Sequence, residues 1–117
     1  MGFSAGGTVT GSVAQTYDAL SKPDFVAPIY AYVPAMLGDK VPADAPPMFL
    51  ALATDDPIAN ANTRLYEKWR DAGKSVEMHV YARGGHGFGI QKREQPTDDW
   101  TVRFENWLSV LGLLEKK

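Results

Sequence analysis

The sequence predicts an α/β domain with about three parallel strands and flanking helices. Two observations carry that prediction. Helix-period and strand-like stretches alternate along the chain after a glycine-rich turn. Residues 48–53 (MFLALA) form a nearly continuous apolar run, as expected of a strand covered on both faces. Parallel strands joined through helices imply right-handed crossovers. The 117 residues are read as one domain spanning 1–117, since this length holds a single modest core.

In chain order, Val9, Val13, Tyr17 and Leu20 recur at helical spacing, predicting a helix whose apolar face they form and which stops at Ser21-Lys22-Pro23. Residues 25–33 (FVAPIYAYV) predict a strand. Pro28 inside it cannot donate a ladder hydrogen bond, which favours an edge or bulged position. A proline-rich loop over 34–47 leads into strand 48–53. Pro57 can open a second helix, with Ile58, Ala61, Leu65, Trp69 and Ala72 as its stripe and Gly73 at its end. Residues 75–82 (SVEMHVYA) alternate as a third strand. After the glycine-rich loop 84–89, Asp98 or Asp99 caps a last helix whose Trp100, Phe104, Trp107, Leu108 and Leu111 face the core, with Gly112 past its end.

Composition narrows the functional classes. Twelve Lys and Arg against 14 Asp and Glu leave no basic stripe to neutralise phosphates, which argues against a nucleic-acid partner. No apolar run is long enough to span a membrane. The absence of cysteine excludes disulfides, thiolate catalysis and Cys-based zinc sites, and two histidines cannot build a histidine-rich metal site. No cofactor or metal is implied. The first residues lack the basic and apolar regions of a signal peptide, so a cytoplasmic location is the default expectation.

Three loops can carry chemistry. Residues 2–7 (GFSAGG) contain G-x-S-x-G directly before a helix. Flanking glycines permit a tight turn that exposes the Ser4 hydroxyl, and the helix N-terminus offers N–H groups and a positive dipole end. The same residues also read simply as a glycine-rich start to a helix. Asp55-Asp56-Pro57 follows the apolar strand; an aspartate there caps the next helix without further function, and adjacent carboxylates are poorly placed to straddle a glycosidic bond. In residues 84–89 (GGHGFG), glycines surround His86, so a loop presents one imidazole suited to base chemistry near neutral pH. A flexible exposed turn is the plainer reading.

Together the three loops are more specific than apart. Asp56 and His86 each follow a predicted strand of one parallel sheet, hence lie at its carboxyl edge, where open α/β sheets place ligands. Ser4 starts a helix at the same edge. The order Ser, Asp, His is that of the α/β-hydrolase triad and differs from the two common serine-protease orders.

These motifs, with residues 47–50 (PMFL), residues 76–81 (VEMHVY) and the Trp100 to Trp107 stretch, resemble the C-terminal half of an α/β-hydrolase of the acetyl-esterase and acetyl-xylan-esterase type. The resemblance covers nearly the whole chain and implies a partial α/β-hydrolase fold. It implies Ser4 as nucleophile, His86 as general base and then acid, and Asp56 as the residue orienting the imidazole, with Asp55 its rival. The Ala5 N–H would be one oxyanion-hole donor, and Phe3 and Phe88 are candidate walls of a substrate pocket. The implied activity is that of a serine carboxylester hydrolase on small short-acyl esters, without a cofactor. The alternative is a non-catalytic remnant, or a subunit that oligomerises or complements a separate half. The family's HGGG-type loop, which gives the other oxyanion donors, is not among these residues, so kcat is expected to be lower by ~10²–10³. A bare apolar edge on strand 25–33 would pair with another copy, so a homodimer or higher homo-oligomer is expected to complete the fold.

Other features read as structure. His79 is a strand residue flanked by Met78 and Val80. Trp69, Trp100 and Trp107 sit at core positions, and the Lys92-Arg93-Glu94 cluster is solvated surface. Neither a dinucleotide fingerprint nor a P-loop is complete.

Overall fold

In the computed structural model, which describes residues 1–38 and 40–115, four strands form one parallel sheet in the order β1-β2-β3-β4. The strands are β1 (Gly2–Phe3), β2 (Pro28–Ile29), β3 (Met48–Ala53) and β4 (Val76–Tyr81). Helices α1 (Ala5–Thr16), α2 (Asn62–Asp71) and α3 (Trp100–Val110) follow β1, β3 and β4, while β2 leads to β3 through a 3₁₀ turn at Pro34–Met36 and a loop. The architecture is thus the open parallel α/β sheet expected, with one more strand than the sequence predicted, because the two residues before Ser4 pair with Pro28 and Ile29.

Strand β3 is the centre of the molecule. All six of its residues are buried, and it pairs in register with β4 from Met48–Val76 to Ala53–Tyr81. Side chains alternate across a strand, so the two faces seed two cores. Met48 and Leu50 pack with Leu65 and Trp69 of α2 and with Ala14 of α1. Phe49 and Ala51 pack on the other face with Trp100 and Trp107 of α3. Two helices therefore cover one face of the sheet and the third covers the other. The three tryptophans are all in these cores. Trp69 Nε1 donates to the Pro46 carbonyl at 2.9 Å and Trp100 Nε1 to the Gly89 carbonyl at 2.7 Å, so burial leaves neither ring N–H unpaired.

Several expectations are corrected. The predicted strand 25–33 contracts to Pro28–Ile29 plus a single bridge from Val26 to Met48, because Tyr30 takes a left-handed φ of 35° that ends the ladder. Nor is that strand an edge, since β1 and β3 flank it; the outer strands of the sheet are β1 and β4. Helix α1 stops at Thr16, short of Leu20, and presents a different face from the one expected. Gly7, Gly11 and Ala14 are buried, Gly7 against the sheet and Gly11 against the Met36 side chain, while Val9 is 64% and Leu20 99% exposed. A Cβ on Gly7 would lie 2.8 Å from Ala31 Cβ, so the small residues permit helix and sheet backbones to approach closely. Helix α2 begins at Asn62 rather than at Pro57, and Ile58 and Ala72 are exposed. Both α2 and α3 end as expected on a glycine in left-handed conformation, Gly73 and Gly112. Asp99 occupies the N-cap position of α3 without a side-chain capping bond, while the Asp98 carboxylate accepts the N–H groups of Arg93 and Glu94.

Candidate active site

All four strands run parallel, so the segments that follow them collect at one edge of the sheet. Ser4 follows β1, Tyr30 follows β2, the Asp55-Asp56 pair follows β3 and the 84–89 loop follows β4.

Ser4 sits on a strained turn between β1 and α1, with φ 52° and ψ −119°, a region that costs a non-glycine residue roughly 1–3 kcal/mol. Its neighbours hold it there. Ser4 N–H donates to the Ile29 carbonyl at 2.9 Å, and the Ser4 carbonyl accepts the Thr8 N–H at 3.0 Å as α1 begins. The chain turns back so tightly that a Cβ on Gly2 would overlap the Gly6 carbonyl, which explains the first glycine of the motif. As the first residue of α1, Ala5 has an N–H that no carbonyl of its own helix can accept, and it lies beside the serine at the positive end of the helix dipole.

His86 reaches both other loops. Its Nε2 lies 2.7 Å from Ser4 Oγ and its Nδ1 lies 2.7 Å from Asp56 Oδ2. The Asp56 side chain is fully buried, whereas the imidazole is 25% exposed. An ionised carboxylate can only accept, so the Nδ1 proton points to Asp56 and Nε2 is left free to accept from the serine hydroxyl. Asp56 Oδ1 accepts the N–H groups of Ile58 at 2.8 Å and Ala59 at 3.3 Å. Asp56 thus does the capping expected of an aspartate here, but of a turn rather than a helix, and keeps an oxygen for histidine. The adjacent Asp55 reaches the backbone of the same loop, accepting the Gly85 N–H at 2.8 Å.

Two residues at this edge were not legible as site residues. The Tyr30 ring is 4% exposed and lies edge-on to the His86 imidazole, centroids 5.0 Å apart, and to Phe88 at 4.7 Å. Burial raises the Tyr30 phenol above its ordinary pKa, so the ring meets the imidazole as a neutral wall. Asn62 is fully buried and donates from Nδ2 to the carbonyls of Ala31 and Ala59, tying the segment after β2 to the turn after Asp56. A left-handed φ at a tyrosine is the kind of signal only coordinates supply; the sequence carried none for either residue.

Phe88 is 3% exposed and part of the core around Tyr30 and Trp100, and Phe3 packs against the same two rings. A cavity of about 430 Å³ is lined by Pro34, Asn60, Ala61, Thr63 and Arg64, none of which is Ser4, Asp56 or His86. Among the described residues no three His, Asp or Glu side chains cluster as a metal site, and no helix is long and apolar enough to cross a membrane. His79 bonds Glu77 through Nε2 at 2.8 Å on the surface of β4.

A sequence profile of proteins with the alpha/beta hydrolase fold matches residues 19–90. No curated protein matches the sequence. Among solved structures, the acetyl ester-xyloside bifunctional hydrolase of Caldicellulosiruptor lactoaceticus is similar with a TM-score of 0.79 and 22% identity, over 97% of this chain and 56% of that one. A carboxylesterase from Lactobacillus plantarum is similar with a TM-score of 0.77 and 15% identity, over 99% of this chain and 59% of that one. An alpha/beta hydrolase enzyme from a Medee basin deep-sea metagenome library gives 0.77 and 23%, over 92% and 51%. The chain therefore spans between half and three fifths of the length of these structures.

Proposed function

The chain belongs to the alpha/beta hydrolase fold family, and from that premise we propose that it is a serine carboxylester hydrolase acting on small short-acyl esters. The observation that carries the reading is the relay Ser4 Oγ to His86 Nε2 to Asp56 Oδ2, both links 2.7 Å, with the serine on a strained turn. Such a relay supplies a nucleophile, a base and an orienter in hydrogen-bond reach.

In the proposed reaction His86 Nε2 takes the Ser4 proton as Oγ attacks the ester carbonyl carbon. Asp56 remains ionised and holds Nδ1–H, stabilising the imidazolium that forms. The Ala5 N–H faces the developing oxyanion. On collapse the carbon–oxygen bond to the alcohol breaks, and His86 returns the proton to the leaving oxygen. Water then gives a proton to His86 and attacks the acyl-serine; the acid departs and Ser4 regains its proton. The packing of Phe3 and Phe88 into the aromatic core, rather than around a deep acyl cavity, supports short acyl groups. The neighbour named as an acetyl ester-xyloside hydrolase makes acetyl esters the first substrates to try.

The test is steady-state hydrolysis of p-nitrophenyl acetate by the wild type beside Ser4→Ala and His86→Ala. Turnover that falls to background in both variants supports the reading. Equal slow rates in all three would overturn it, leaving a chain that acts only with a second polypeptide or not at all.

A further inference from the structure

We infer that Asp55, through the backbone of the glycine loop, is a positioning residue for His86. Its catalytic consequence rests on the esterase reading; the positioning itself does not.

The loop that carries His86 has little rigidity of its own. Gly84, Gly85, Gly87 and Gly89 all have left-handed φ values, 151°, 66°, 82° and 53°, which only glycine adopts at low cost and which lose the most freedom when fixed. An imidazole hung on such a segment needs outside anchors on both sides. After the histidine, Trp100 Nε1 holds the Gly89 carbonyl at 2.7 Å. Before it, the Asp55 carboxylate accepts the Gly85 N–H at 2.8 Å, with the Gly84 N–H at 3.4 Å from its other oxygen. The Gly85 bond is charge-assisted and sits one residue from the imidazole.

The arrangement divides the work between adjacent residues. Asp55 and Asp56 leave the same strand end, β3, and both point into the loop after β4. Asp56 holds the ring at Nδ1, and Asp55 holds the peptide that sets where the ring begins. Each hydrogen bond aligns the other, because a displaced Gly85 peptide moves the Nδ1 atom away from a carboxylate that is itself fixed by Ile58 and Ala59. A shift of about 1 Å at a reacting group can cost up to about 100-fold in rate. Asp55 itself is exposed, so core packing does not account for its orientation.

The experiment compares the wild type with Asp55→Ala and Asp55→Asn. It reads the downfield Nδ1 proton of His86 by NMR, kcat and KM on p-nitrophenyl acetate, and Tm. In Asp55→Ala the proton signal is expected to broaden or vanish, and kcat to fall about 10-fold at nearly unchanged KM. Asp55→Asn keeps an oxygen for the Gly85 N–H and is expected to retain the signal and most of kcat. An Asp55→Ala protein with the wild-type signal overturns the inference, and a lowered Tm beside that signal marks a merely structural anchor. Loss of the signal in Asp55→Asn as well as in Asp55→Ala also overturns it, since the tether would not then be the cause. If the wild type hydrolyses no ester, the esterase reading falls, and the proton signal alone decides the positioning role.

Discussion

Asp56 meets His86 with one oxygen only: Oδ2 lies 2.7 Å from Nδ1, while Oδ1 is occupied by the N–H groups of Ile58 and Ala59. The carboxylate is therefore fixed by its own turn before it touches the imidazole, and its rotation is not free to compensate for changes in the loop. Asp56→Asn is expected to keep the oxygen on the turn and present an amide N–H₂ to Nδ1. That favours the tautomer with its proton on Nε2, facing Ser4, which cannot accept. A fall in kcat of about 10³–10⁴ with a small change in Tm is the expected result on p-nitrophenyl acetate. Asp56→Ala also strips the turn and should lose about 1–2 kcal/mol of stability in addition.

Neighbouring glycines in α1 should respond in opposite ways. Gly6 has open space where a Cβ would be, so Gly6→Ala is expected to stabilise by up to about 1 kcal/mol through helix propensity. At Gly7 a Cβ would lie 2.8 Å from Ala31 Cβ, 3.1 Å from the Gly2 carbonyl and 3.2 Å from the Ile29 carbonyl. Backbone atoms cannot step aside as a flexible side chain can. Gly7→Ala should therefore cost about 1–3 kcal/mol and lift the start of α1, and Ser4 with it, off β2. Urea unfolding of the two variants checks the sign of each.

Much of this arrangement could be read from the residues themselves. A short apolar run bounded by turn residues is what a strand covered on both faces requires, and 48–53 is one. Ser4, Asp56 and His86 stood out because each joins a turn signal to a strand or helix end, and parallel strands bring such ends together. What was misread has physical causes. The inner face of α1 is made of Gly7, Gly11 and Ala14, whose value lies in being small, so the more apolar Val9 and Val13 drew the prediction to the outer face. The second helix starts late because Asp56 satisfies the N–H groups of Ile58 and Ala59 in a turn, which Pro57 alone did not reveal. The bond from Gly85 to Asp55 and the Tyr30 ring beside His86 arise from loop positions with no local signature.

Acid should weaken one surface contact in a defined direction. Asp44 accepts the Tyr17 hydroxyl at 2.5 Å and the Lys22 ammonium at 2.9 Å, which fastens the segment after α1 to the proline-rich loop. The Tyr17 hydrogen bond first, and Lys22 second, hold the Asp44 carboxyl below its ordinary value of 3.8. A depressed carboxyl contributes stability that is present above the ordinary value and is lost as pH falls through the depressed one. The wild type should thus exceed Asp44→Asn in Tm near neutral pH, and the gap should close below about pH 4. High salt should shrink the Lys22 share and leave the Tyr17 share. Activity should be unchanged in this variant, which is remote from Ser4 in the chain's hydrogen bonding.

Asn62 offers the sharpest coupling between stability and the candidate site. Its amide is fully buried, and its Nδ2 spans from the Ala31 carbonyl, one residue past Tyr30, to the Ala59 carbonyl, at 2.9 and 2.8 Å. Ala59 keeps a second donor, the Asn62 N–H at 3.1 Å, so the side chain matters most to Ala31. Asn62→Ala removes both side-chain bonds and exposes nothing to water in exchange, which should cost about 2–3 kcal/mol. The two segments it joins are those that carry Tyr30, the wall beside His86, and the Ala59 N–H that holds Asp56. Loosening them should lower kcat by about 3–10-fold at a temperature where the variant is still fully folded. Asn62→Asp keeps the volume and one oxygen but no donor, so it should lose as much stability as alanine or more. Urea unfolding of both variants, with kcat measured well below the transition, tests whether this amide links the two strand ends or only fills space; a loss in Asn62→Asp much smaller than in Asn62→Ala would mean the latter.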